Sequence, residues 1–403
     1  MPRIKNPFAF VFFLLLIDSI GMRMIFPETA SIISEVGNVS LDKAATYSGW
    51  MMSIYAVLQL TLSPVLGGLS DRFGRRPLLL LSFIGSLMNY LILSFADSIT
   101  FLFIGRIIGG LCGASLTAGF AYMADISTPE KRARDFGLVG SAIGLGFIIG
   151  PFLGGVLSEY GTRIPFIAAA ILSFFALICG FFFIPESLKS ENRRSFDIKR
   201  ANLLGTFLHL KKQPAQRKLL LVLFIVYTAG QVLPATWPFY TKLVYGWNDL
   251  KIGYSLAFVG LMVAIVKGTL VNWSEVKYGA VHSVFIGLLF NIAGLGLFSL
   301  SAPSGFIYLF VIIYCIGGIA TPLLQGIIST QTPLDKQGEL QGAIISLISL
   351  SNIVSPFLMT NLFHFFTKKN APVYFPGAPY ATAAAFVIVA IFIYMSSNKK
   401  TTT

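Results

Sequence analysis

Residues 67–77 read Gly-Gly-Leu-Ser-Asp-Arg-Phe-Gly-Arg-Arg-Pro, a short basic segment between two long apolar runs. The run before it covers about residues 46–69, and the run after it covers about residues 78–96. A helix needs roughly 20 apolar residues to cross the hydrocarbon core of a bilayer, because backbone amides in lipid are satisfied only within the helix. The segment is therefore predicted to be a loop that joins two membrane-spanning helices.

The same apolar pattern recurs along the chain, which has 403 residues, 55% of them hydrophobic and 12% charged. A soluble protein of this length has no core large enough to bury so many apolar runs. We therefore predict an all-α polytopic membrane protein with twelve transmembrane helices. The six spans expected in the first half lie near residues 8–31, 46–69, 78–96, 101–124, 136–158 and 164–184. The six expected in the second half lie near residues 219–241, 252–272, 281–300, 305–328, 340–362 and 379–396.

The basic residues are unevenly divided between the two sides of the membrane. Of 30 Lys and Arg, 21 fall on one side when alternate loops are counted with both termini, and six fall on the other. Cytoplasmic loops carry the excess of Lys and Arg, so both termini are predicted to be cytoplasmic and the protein to lie in the inner membrane. The net charge of +13 is then a property of these loops. No separate basic face remains to bind nucleic acid.

The longest polar stretch, residues 186–218, carries nine Lys and Arg and separates six spans from six. We predict an N-terminal six-helix bundle in residues 1–185, a cytoplasmic basic linker in 186–218 and a C-terminal six-helix bundle in 219–403. A basic loop of this kind also contacts anionic lipid headgroups, so membrane lipids are expected partners.

Three sequence landmarks recur at nearly half the chain length. The offsets are 204, 204 and 205 residues, for Ser70–Gly74 with Ser274–Gly279, Thr128–Pro129 with Thr332–Pro333, and Pro151–Leu153 with Pro356–Leu358. Transporters are commonly built from repeated bundles with substrate sites near the bilayer midplane. The repeat therefore predicts two pseudo-symmetric bundles that expose a site alternately to each side.

The segment 67–77 orders glycine, aspartate and arginine in a way that composition does not explain. Glycines permit a tight turn, and an aspartate can accept hydrogen bonds from helix-terminal amides or pair with a cation. The predicted gating motif comprises Gly67, Asp71, Arg72, Gly74, Arg75 and Arg76. The segment resembles the signature loop of the major facilitator superfamily.

Further glycine motifs follow in the fourth and fifth predicted helices. The fourth begins Gly105-Arg106-Ile107-Ile108-Gly109-Gly110. The fifth resembles the antiporter motif of drug exporters and contains Gly140, Gly144, Gly146, Gly150, Pro151 and Gly154. Glycines at 140, 144, 146 and 150 are expected to let a neighbouring backbone approach closely. Such close packing would also determine which conformations of the transporter are accessible.

Runs in the second half resemble the tetracycline/proton antiporters. They are Gly230–Thr236, Gly246–Asn248, Gly253–Ala257, Leu324–Gly326 and Gln337–Gly342. The resemblance extends from Asp18 to Pro356. It implies a secondary active transporter with proton-coupled antiport, energised by the proton gradient without a cofactor, and we expect a functional monomer.

The departures from that group concern its coupling residues. Its members carry acids in helices 3 and 9 and a histidine in helix 8, where this chain has Asn89, Asn291 and Val263. A glutamine of helix 8 is replaced by Lys267. The loss of two carboxylates and the gain of a cation make tetracycline with a divalent cation a doubtful substrate and favour an anionic or zwitterionic cargo.

Charged residues within a span are costly and need a partner or a function. Asp18 lies near the middle of the first span, and a continuous helix would place it on one polar face with Gly21, Ile25, Glu28 and Thr29. The predicted proton-coupling residues are Asp18, Glu28 and Arg106. The alternative for Asp18 is a static ion pair with Arg23 or Arg106. Arg23 lies roughly 140° around the helix and would bind either a structural partner or a substrate carboxylate.

Other polar residues at membrane depth are predicted to line the substrate cavity. Together with the first arginine they are Arg23, Asn89, Gln231, Lys267, Asn291, Gln325 and Asn352. Interhelical hydrogen bonding is the alternative for Gln231, Gln325 and Asn352, and Lys267 can extend to the cytoplasmic water.

The sequence thus predicts a transporter of small organic solutes, with multidrug or tetracycline-like efflux as the first hypothesis. The alternative is a carrier, for import or export, of an anionic metabolite or a carboxylate-type metal chelate such as a siderophore. A channel or sensor would not need the alternating-access motifs. An enzyme is not expected, because His209, His282 and His364 are scattered without a partnered nucleophile, and Cys112, Cys179 and Cys315 lack metal-ligand spacing.

Overall fold

The computed structural model describes residues 7–113, 115–128, 130–193, 214–333 and 336–398. These residues form helices and connecting turns, without a strand among them. Most of the predicted linker 186–218, including His209, lies outside the described residues.

Sixteen α-helices are distinguished in the described residues. Those before residue 193 are α1 (Pro7–Met24), α2 (Thr29–Gly37), α3 (Leu41–Phe73), α4 (Arg75–Phe95), α5 (Ile99–Cys112), α6 (Ser115–Ile126), α7 (Arg132–Ser158) and α8 (Ile164–Phe183). Those after residue 213 are α9 (Pro214–Gly230), α10 (Val232–Tyr245), α11 (Asp249–Ile265), α12 (Val271–Ser299), α13 (Ile307–Ile316), α14 (Ala320–Thr330), α15 (Gln337–Thr367) and α16 (Ala378–Asn398).

Several neighbouring helices together make one membrane span. Ten helical stretches of the described residues are long and apolar enough to cross a membrane, and α1 with α2, bent by 51°, makes an eleventh. One of the ten, Asp249–Ser299, has 51 residues, or about 76 Å of helix, more than twice the bilayer core. It is interrupted at Gly279, which has φ 75° and ψ 156°, so it provides two spans. The fold is the predicted all-α polytopic one, with approximately twelve spans.

The described residues fall into two compact units. The first lies within Met1–Val39, Ile54–Asn202 and Asn248–Ala257, and the second within Ser40–Ser53, Leu203–Trp247 and Phe258–Thr403. The predicted bundle boundaries at 185 and 219 stay a prediction.

In the first unit, α1 packs along α7 and α8, while α4 packs on α5, α6 and α8. The core between them is aliphatic and aromatic and includes Leu14, Leu15, Phe83, Tyr122, Val139 and Ala176. The segment 248–257 belongs to this unit because Gly253 lies against the α7 backbone. A Cβ on Gly253 would stand 2.5 Å from the Pro151 carbonyl oxygen.

In the second unit, α9 packs on α15 and α16, and α12 packs on α13, α14 and α16. Its core holds a cluster of buried rings, namely Trp237, Tyr240, Phe298 and Tyr380. Residues 40–53 of α3 belong to this unit through contacts with α15. Ser53 donates to the Ile353 carbonyl at 2.8 Å, and His364 Nδ1 lies 2.7 Å from Asp42 Oδ2.

Five of the predicted continuous spans are interrupted. The first breaks after Met24, where Pro27 lacks the amide hydrogen that a helix needs. The fourth breaks at Gly113, and the seventh between Gly230 and Val232. The eighth widens to a π-helical turn at Val266–Leu270, and the tenth tightens to a 3₁₀ turn at Gly317–Ile319. Hydrophobic periodicity averages over such interruptions, so the sequence did not reveal them.

Candidate transport site

Asp18 of α1 is a buried carboxylate within the first span, with 8% of its surface exposed. Its Oδ1 accepts a hydrogen bond from Ser86 of α4 at 3.3 Å, and its Oδ2 accepts one from Ser115 of α6 at 2.7 Å. Among the described residues, no arginine or lysine nitrogen pairs with it within 4.0 Å. The static ion pair considered as the alternative is therefore not observed, and neutral hydroxyl groups hold the carboxylate.

Four further polar side chains lie within electrostatic range of Asp18 or of one another. They are Arg23 of α1, Tyr55 of α3, Tyr90 of α4 and Arg106 of α5. Tyr55 also lies beside the interruption of the fourth span, since a Cβ on Gly113 would stand 3.1 Å from its hydroxyl oxygen. The first unit thus brings together three of the charged residues that the sequence singled out.

The interruption at Gly113 is closed by a neighbouring helix. Gln59 of α3 donates from Nε2 to the Gly113 carbonyl at 3.1 Å. A carbonyl released from helical pairing has no water to bind in a bilayer core, so such a donor is needed. Sequence reasoning missed Gln59, Ser86 and Ser115. Their only signal was polarity at mid-span, because the helix that each one faces is set by tertiary packing.

Arg23 faces a different helix from Asp18. It is 7% exposed, and its Nη1 donates to the Ser19 carbonyl at 3.2 Å and to Ser19 Oγ at 2.8 Å. Its guanidinium carbon lies 3.9 Å from the centre of the Phe147 ring on α7, a cation–π contact. No carboxylate of the described residues pairs with it within 4.0 Å. The sequence predicts that Arg23 binds either a structural partner or a substrate carboxylate. The structural partners present are the Ser19 hydroxyl and the Phe147 ring.

Part of the antiporter motif packs on this face of α1. A Cβ on Gly150 would stand 2.8 Å from Arg23 Cβ and 2.9 Å from the Ile20 carbonyl oxygen. Gly146 lies equally close to Ser19, and Gly154 lies against the Met24 carbonyl. The expectation of close backbone approach is correct for Gly146 and Gly150. It is not met at Gly140 and Gly144, where no described atom lies within 4 Å of the Cβ position.

Glu28 does not extend the polar face of Asp18. It is fully buried and stands at the N-cap of α2, beyond the turn that ends α1. The continuous helical wheel that grouped it with Asp18 is wrong, because the 51° bend separates the two.

The prediction of a loop over residues 67–77 is wrong in extent, because residues 67–73 end α3, residues 75–77 begin α4 and only Gly74 breaks the helix between them. Arg75 pairs with two carboxylates at this turn. Gly74 has φ 111°, a value that favours glycine. Arg75 Nη1 lies 2.6 Å from Asp71 Oδ1, and Arg75 Nε lies 3.1 Å from Asp125 Oδ2 at the end of α6. Gly67 has no described neighbour at its Cβ position, and Arg72 lies over the Phe73 ring at 5.1 Å.

Glu186 caps the helix that follows this turn. Its carboxylate accepts from the backbone amides of Arg75 at 2.8 Å and Arg76 at 3.2 Å. Of the two alternatives for Asp71, the structure shows the pairing with a cation, Arg75, whereas Glu186 accepts from the helix-terminal amides. Arg76 in turn donates to the Phe181 carbonyl at 2.5 Å, so the first turn of α4 is hydrogen-bonded to the last turn of α8.

The predicted cavity amides are mostly engaged in packing. Asn291 donates from Nδ2 to the Gly317 carbonyl at 3.0 Å, and Gln325 donates to the Tyr227 hydroxyl at 2.6 Å. Asn89 is 4% exposed and lies against Gly109, whose Cβ position is 3.1 Å from Asn89 Cγ. Interhelical hydrogen bonding, the alternative for Gln325, is what its amide shows, and Asn291 also bonds across helices. Asn89 makes a packing contact, and its Oδ1 has no hydrogen-bond partner among the described residues.

The remaining predicted cavity residues differ in their surroundings. Gln231 is half-buried at the N-cap of α10, at the interruption of the seventh span. Asn352 is half-buried on α15, and its Oδ1 has no hydrogen-bond partner among the described residues. Lys267 is exposed on the π-helical turn after α11. Each stays a predicted cavity residue.

Apolar spans interrupted at mid-length, with a buried carboxylate in the first of them, define a secondary active transporter for a small-molecule substrate, a multi-pass membrane protein. The chain belongs to the Major Facilitator Superfamily, whose sequence model matches residues 9–356. The solved nucleoside transporter NupG has the same fold, with a TM-score of 0.79 at 13% identity over 98% of this chain and 100% of that one.

The resemblance to tetracycline antiporters is also confirmed. The class C tetracycline resistance protein of Escherichia coli is 33% identical over 86% of this chain and 87% of its own length. The class H tetracycline resistance protein of Pasteurella multocida is 32% identical over 96% of this chain and 95% of its own length. The similarity therefore covers nearly the whole molecule.

Proposed function

We propose that this protein exports a small amphipathic organic solute in exchange for protons. The observation that carries the proposal is the pair of hydroxyl groups on Asp18. A serine hydroxyl can donate to a carboxylate and can accept from a carboxylic acid, whereas an arginine can only donate. Asp18 is thus held in a setting that accommodates both of its protonation states, as a proton-coupling group requires.

Arg106 and Glu28 are proposed to support this exchange. Arg106 lies within electrostatic range of Tyr55 and Tyr90, which also sense Asp18. Glu28 is a second buried acid beyond the bend of the first span. Proton release from Asp18 would bias the alternating conformations, because a ligand shifts such an equilibrium by its different affinity for the two states.

Efflux is supported by the relatives, which are named for resistance to tetracycline. We propose the same direction here, with the proton gradient as the energy source and no cofactor. We further propose that the monomer is the functional unit, that both termini are cytoplasmic, that the linker meets anionic lipid, and that the protein neither binds nucleic acid nor acts as an enzyme.

A second candidate is a carrier of an anionic metabolite or a carboxylate-type metal chelate. It is favoured by Arg23, a buried cation without a carboxylate partner among the described residues. It is also favoured by the amides Asn89 and Asn291, which stand where tetracycline antiporters are expected to carry acids.

The test is transport by purified protein in liposomes with an imposed pH gradient. Tetracycline, with and without Mg²⁺, and ethidium serve as probes, and Asp18→Asn is compared with the wild type. We expect Asp18→Asn to lose gradient-driven accumulation of any transported probe while retaining its counterflow without a gradient. Asp97→Asn is the matched control, because Asp97 is an exposed carboxylate in the turn after α4.

Full gradient-driven accumulation in Asp18→Asn would exclude the proposed coupling role. Transport of none of the probes, together with gradient-driven uptake of organic anions, would favour the second candidate over the first.

A further inference from the structure

Arg23 has a hydrogen-bond donor that the described residues leave unused. Its Nη1 is engaged by Ser19, and Phe147 covers one face of the guanidinium. Its Nε is buried and has no acceptor among the described residues. A buried donor without an acceptor is destabilising, so its presence calls for an explanation, and a bound ligand that supplies the acceptor is one.

The unused atom belongs to the edge of the guanidinium that binds oxyanions. Arginine recognises a carboxylate or phosphate through two parallel N–H groups of one planar edge. Arg75 shows the contrast within the same unit, because Asp71 and Asp125 already occupy its donors. Arg23 keeps its Nε edge available at membrane depth.

We propose that the cargo is bipolar, with an oxyanion that binds Arg23 and a cationic or hydrogen-bond-donating group that replaces the proton at Asp18. This inference rests on the proposed function, because it assigns Asp18 as the site where cargo and proton exchange. The two residues start about 140° apart around α1, but the Arg23 side chain runs back along the helix and donates from Nη1 to Ser19, the residue next to Asp18. A small zwitterion is long enough to reach both.

The cargo needs a positively charged group because of the sign of the coupling between cargo binding and proton binding. Asp18 and Arg23 lie within electrostatic range of each other. An anion on Arg23 would therefore bind more tightly when Asp18 is protonated, and cargo and proton would travel together. Antiport requires that they compete for the protein. A cationic group at Asp18 restores that competition, so only a bipolar cargo uses both residues in an antiporter.

The antiporter motif connects this site to the helix packing. Gly146 of α7 lies directly against Ser19, which accepts hydrogen bonds from the guanidinium, and Gly150 lies against the Cβ of Arg23. A shift of α7 along α1 would move the Arg23 side chain. The binding of the oxyanion and the position of α7 are therefore linked.

The inference is tested by binding without any gradient. Benzoate, benzylamine and 4-(aminomethyl)benzoate share one ring and carry a negative charge, a positive charge and both. Their affinities for the full-length protein in lipid nanodiscs are measured by titration calorimetry, for the wild type, Arg23→Gln and Asp18→Asn. Lys251→Gln is the control, because Lys251 is an exposed cation outside the site.

We expect 4-(aminomethyl)benzoate to bind the wild type most tightly. Arg23→Gln should weaken it by about tenfold or more, the loss of a charge-assisted pair, and should not weaken benzylamine, because a cation at Asp18 loses a neighbouring like charge. Asp18→Asn should weaken benzylamine and strengthen benzoate, because the neutral amide mimics the protonated carboxyl group. If Arg23→Gln does not fold, Arg23→Lys makes the same test, because lysine keeps the charge but lacks the planar edge and should give a smaller loss.

Equal affinity of the zwitterion for the wild type and Arg23→Gln would overturn the proposal, as would a wild type that binds no probe carrying a carboxylate. If either result is obtained while gradient-driven transport still depends on Asp18, only the assignment of a bipolar cargo is excluded. If binding depends on Arg23 but transport does not depend on Asp18, the proposed exchange for protons is excluded instead.

Discussion

Asn291 of α12 donates a hydrogen bond from Nδ2 to the carbonyl oxygen of Gly317 at 3.0 Å. Gly317 begins the 3₁₀ turn between α13 and α14, where regular helical pairing is interrupted. The two residues are also in van der Waals contact, since a Cβ on Gly317 would stand 2.6 Å from Asn291 Cγ. The amide therefore fills the space beside the tenth span and gives the Gly317 carbonyl a second donor, in addition to the Ala320 backbone amide of the 3₁₀ turn.

Replacing Asn291 by Leu should destabilise the protein by about 0.5–1.5 kcal/mol, because the Gly317 carbonyl would lose one of its two hydrogen bonds and keep only that from the Ala320 amide. The measurement is the free energy of unfolding in mixed micelles with increasing denaturing detergent. Asn361→Leu is the matched control, because its amide donates only to the Phe357 carbonyl of its own helix. A change of equal size in the two variants would show that the Gly317 bond has no special importance.

Adding one methyl group at Gly150 should interfere with the packing of α7 on α1. The new Cβ would stand 2.8 Å from Arg23 Cβ and 2.9 Å from a backbone carbonyl, neither of which can move freely. We expect Gly150→Ala to cost about 1–3 kcal/mol of stability, the usual cost of overpacking, and to reduce the transport rate.

Gly140→Ala provides the comparison for Gly150→Ala on the same helix. Its Cβ position has no described atom within 4 Å, and alanine favours a helix over glycine by about 1 kcal/mol. The measurements are the thermal unfolding and the initial transport rates of the two variants, and only Gly150→Ala should show a loss. A loss at position 140 as large as that at 150 would contradict the packing described for α7.

Gly74→Ala should destabilise the turn between α3 and α4. An L-residue at φ 111° is strained, and a Cβ there would collide with the Glu186 carboxylate. The strain alone costs about 1–2 kcal/mol. The free energy of unfolding measures this loss, and Gly67→Ala should show none, because the same motif leaves its Cβ position open. Similar losses at the two glycines would argue against the turn geometry.

Glu186→Ala should remove the cap of α4 and cost about 0.5–2 kcal/mol, the range for lost helix caps. Glu186→Gln keeps an acceptor oxygen and should retain most of that stability. Hydrogen exchange at the amides of Arg75 and Arg76 reports the cap directly. Unchanged protection of these amides in Glu186→Ala would show that they are satisfied in another way.

The span pattern was predictable from the sequence, because it depends on local apolar length. The runs near 46–69 and 78–96 correspond to the longer helices Leu41–Phe73 and Arg75–Phe95. The helices continue into the polar flanks because backbone hydrogen bonding does not stop where apolarity does. The interruption at Gly113 was not predictable, since a single glycine in an apolar run is compatible with an unbroken helix.

The sequence identified only those residues of the candidate site whose charges are energetically costly within the membrane. Asp18, Arg23 and Arg106 could be selected because a charge within a span needs a reason. Their neighbours could not be selected, since Ser86 and Ser115 meet Asp18 only after α4 and α6 have packed on α1. The same limit explains the motif of α7, where Gly140 and Gly150 are alike in sequence and differ only in what lies opposite.

The interruption at Gly113 has a counterpart in the second half of the chain. Gly317 lies 204 residues later, the offset of the sequence repeat. Gln59, from the second span, serves the first carbonyl, whereas Asn291, from the ninth span, serves the other. The two halves thus share the position of the interruption but use side chains from different spans to bond its carbonyl. A residue's role in one half is therefore no guide to the residue at the matching position of the other.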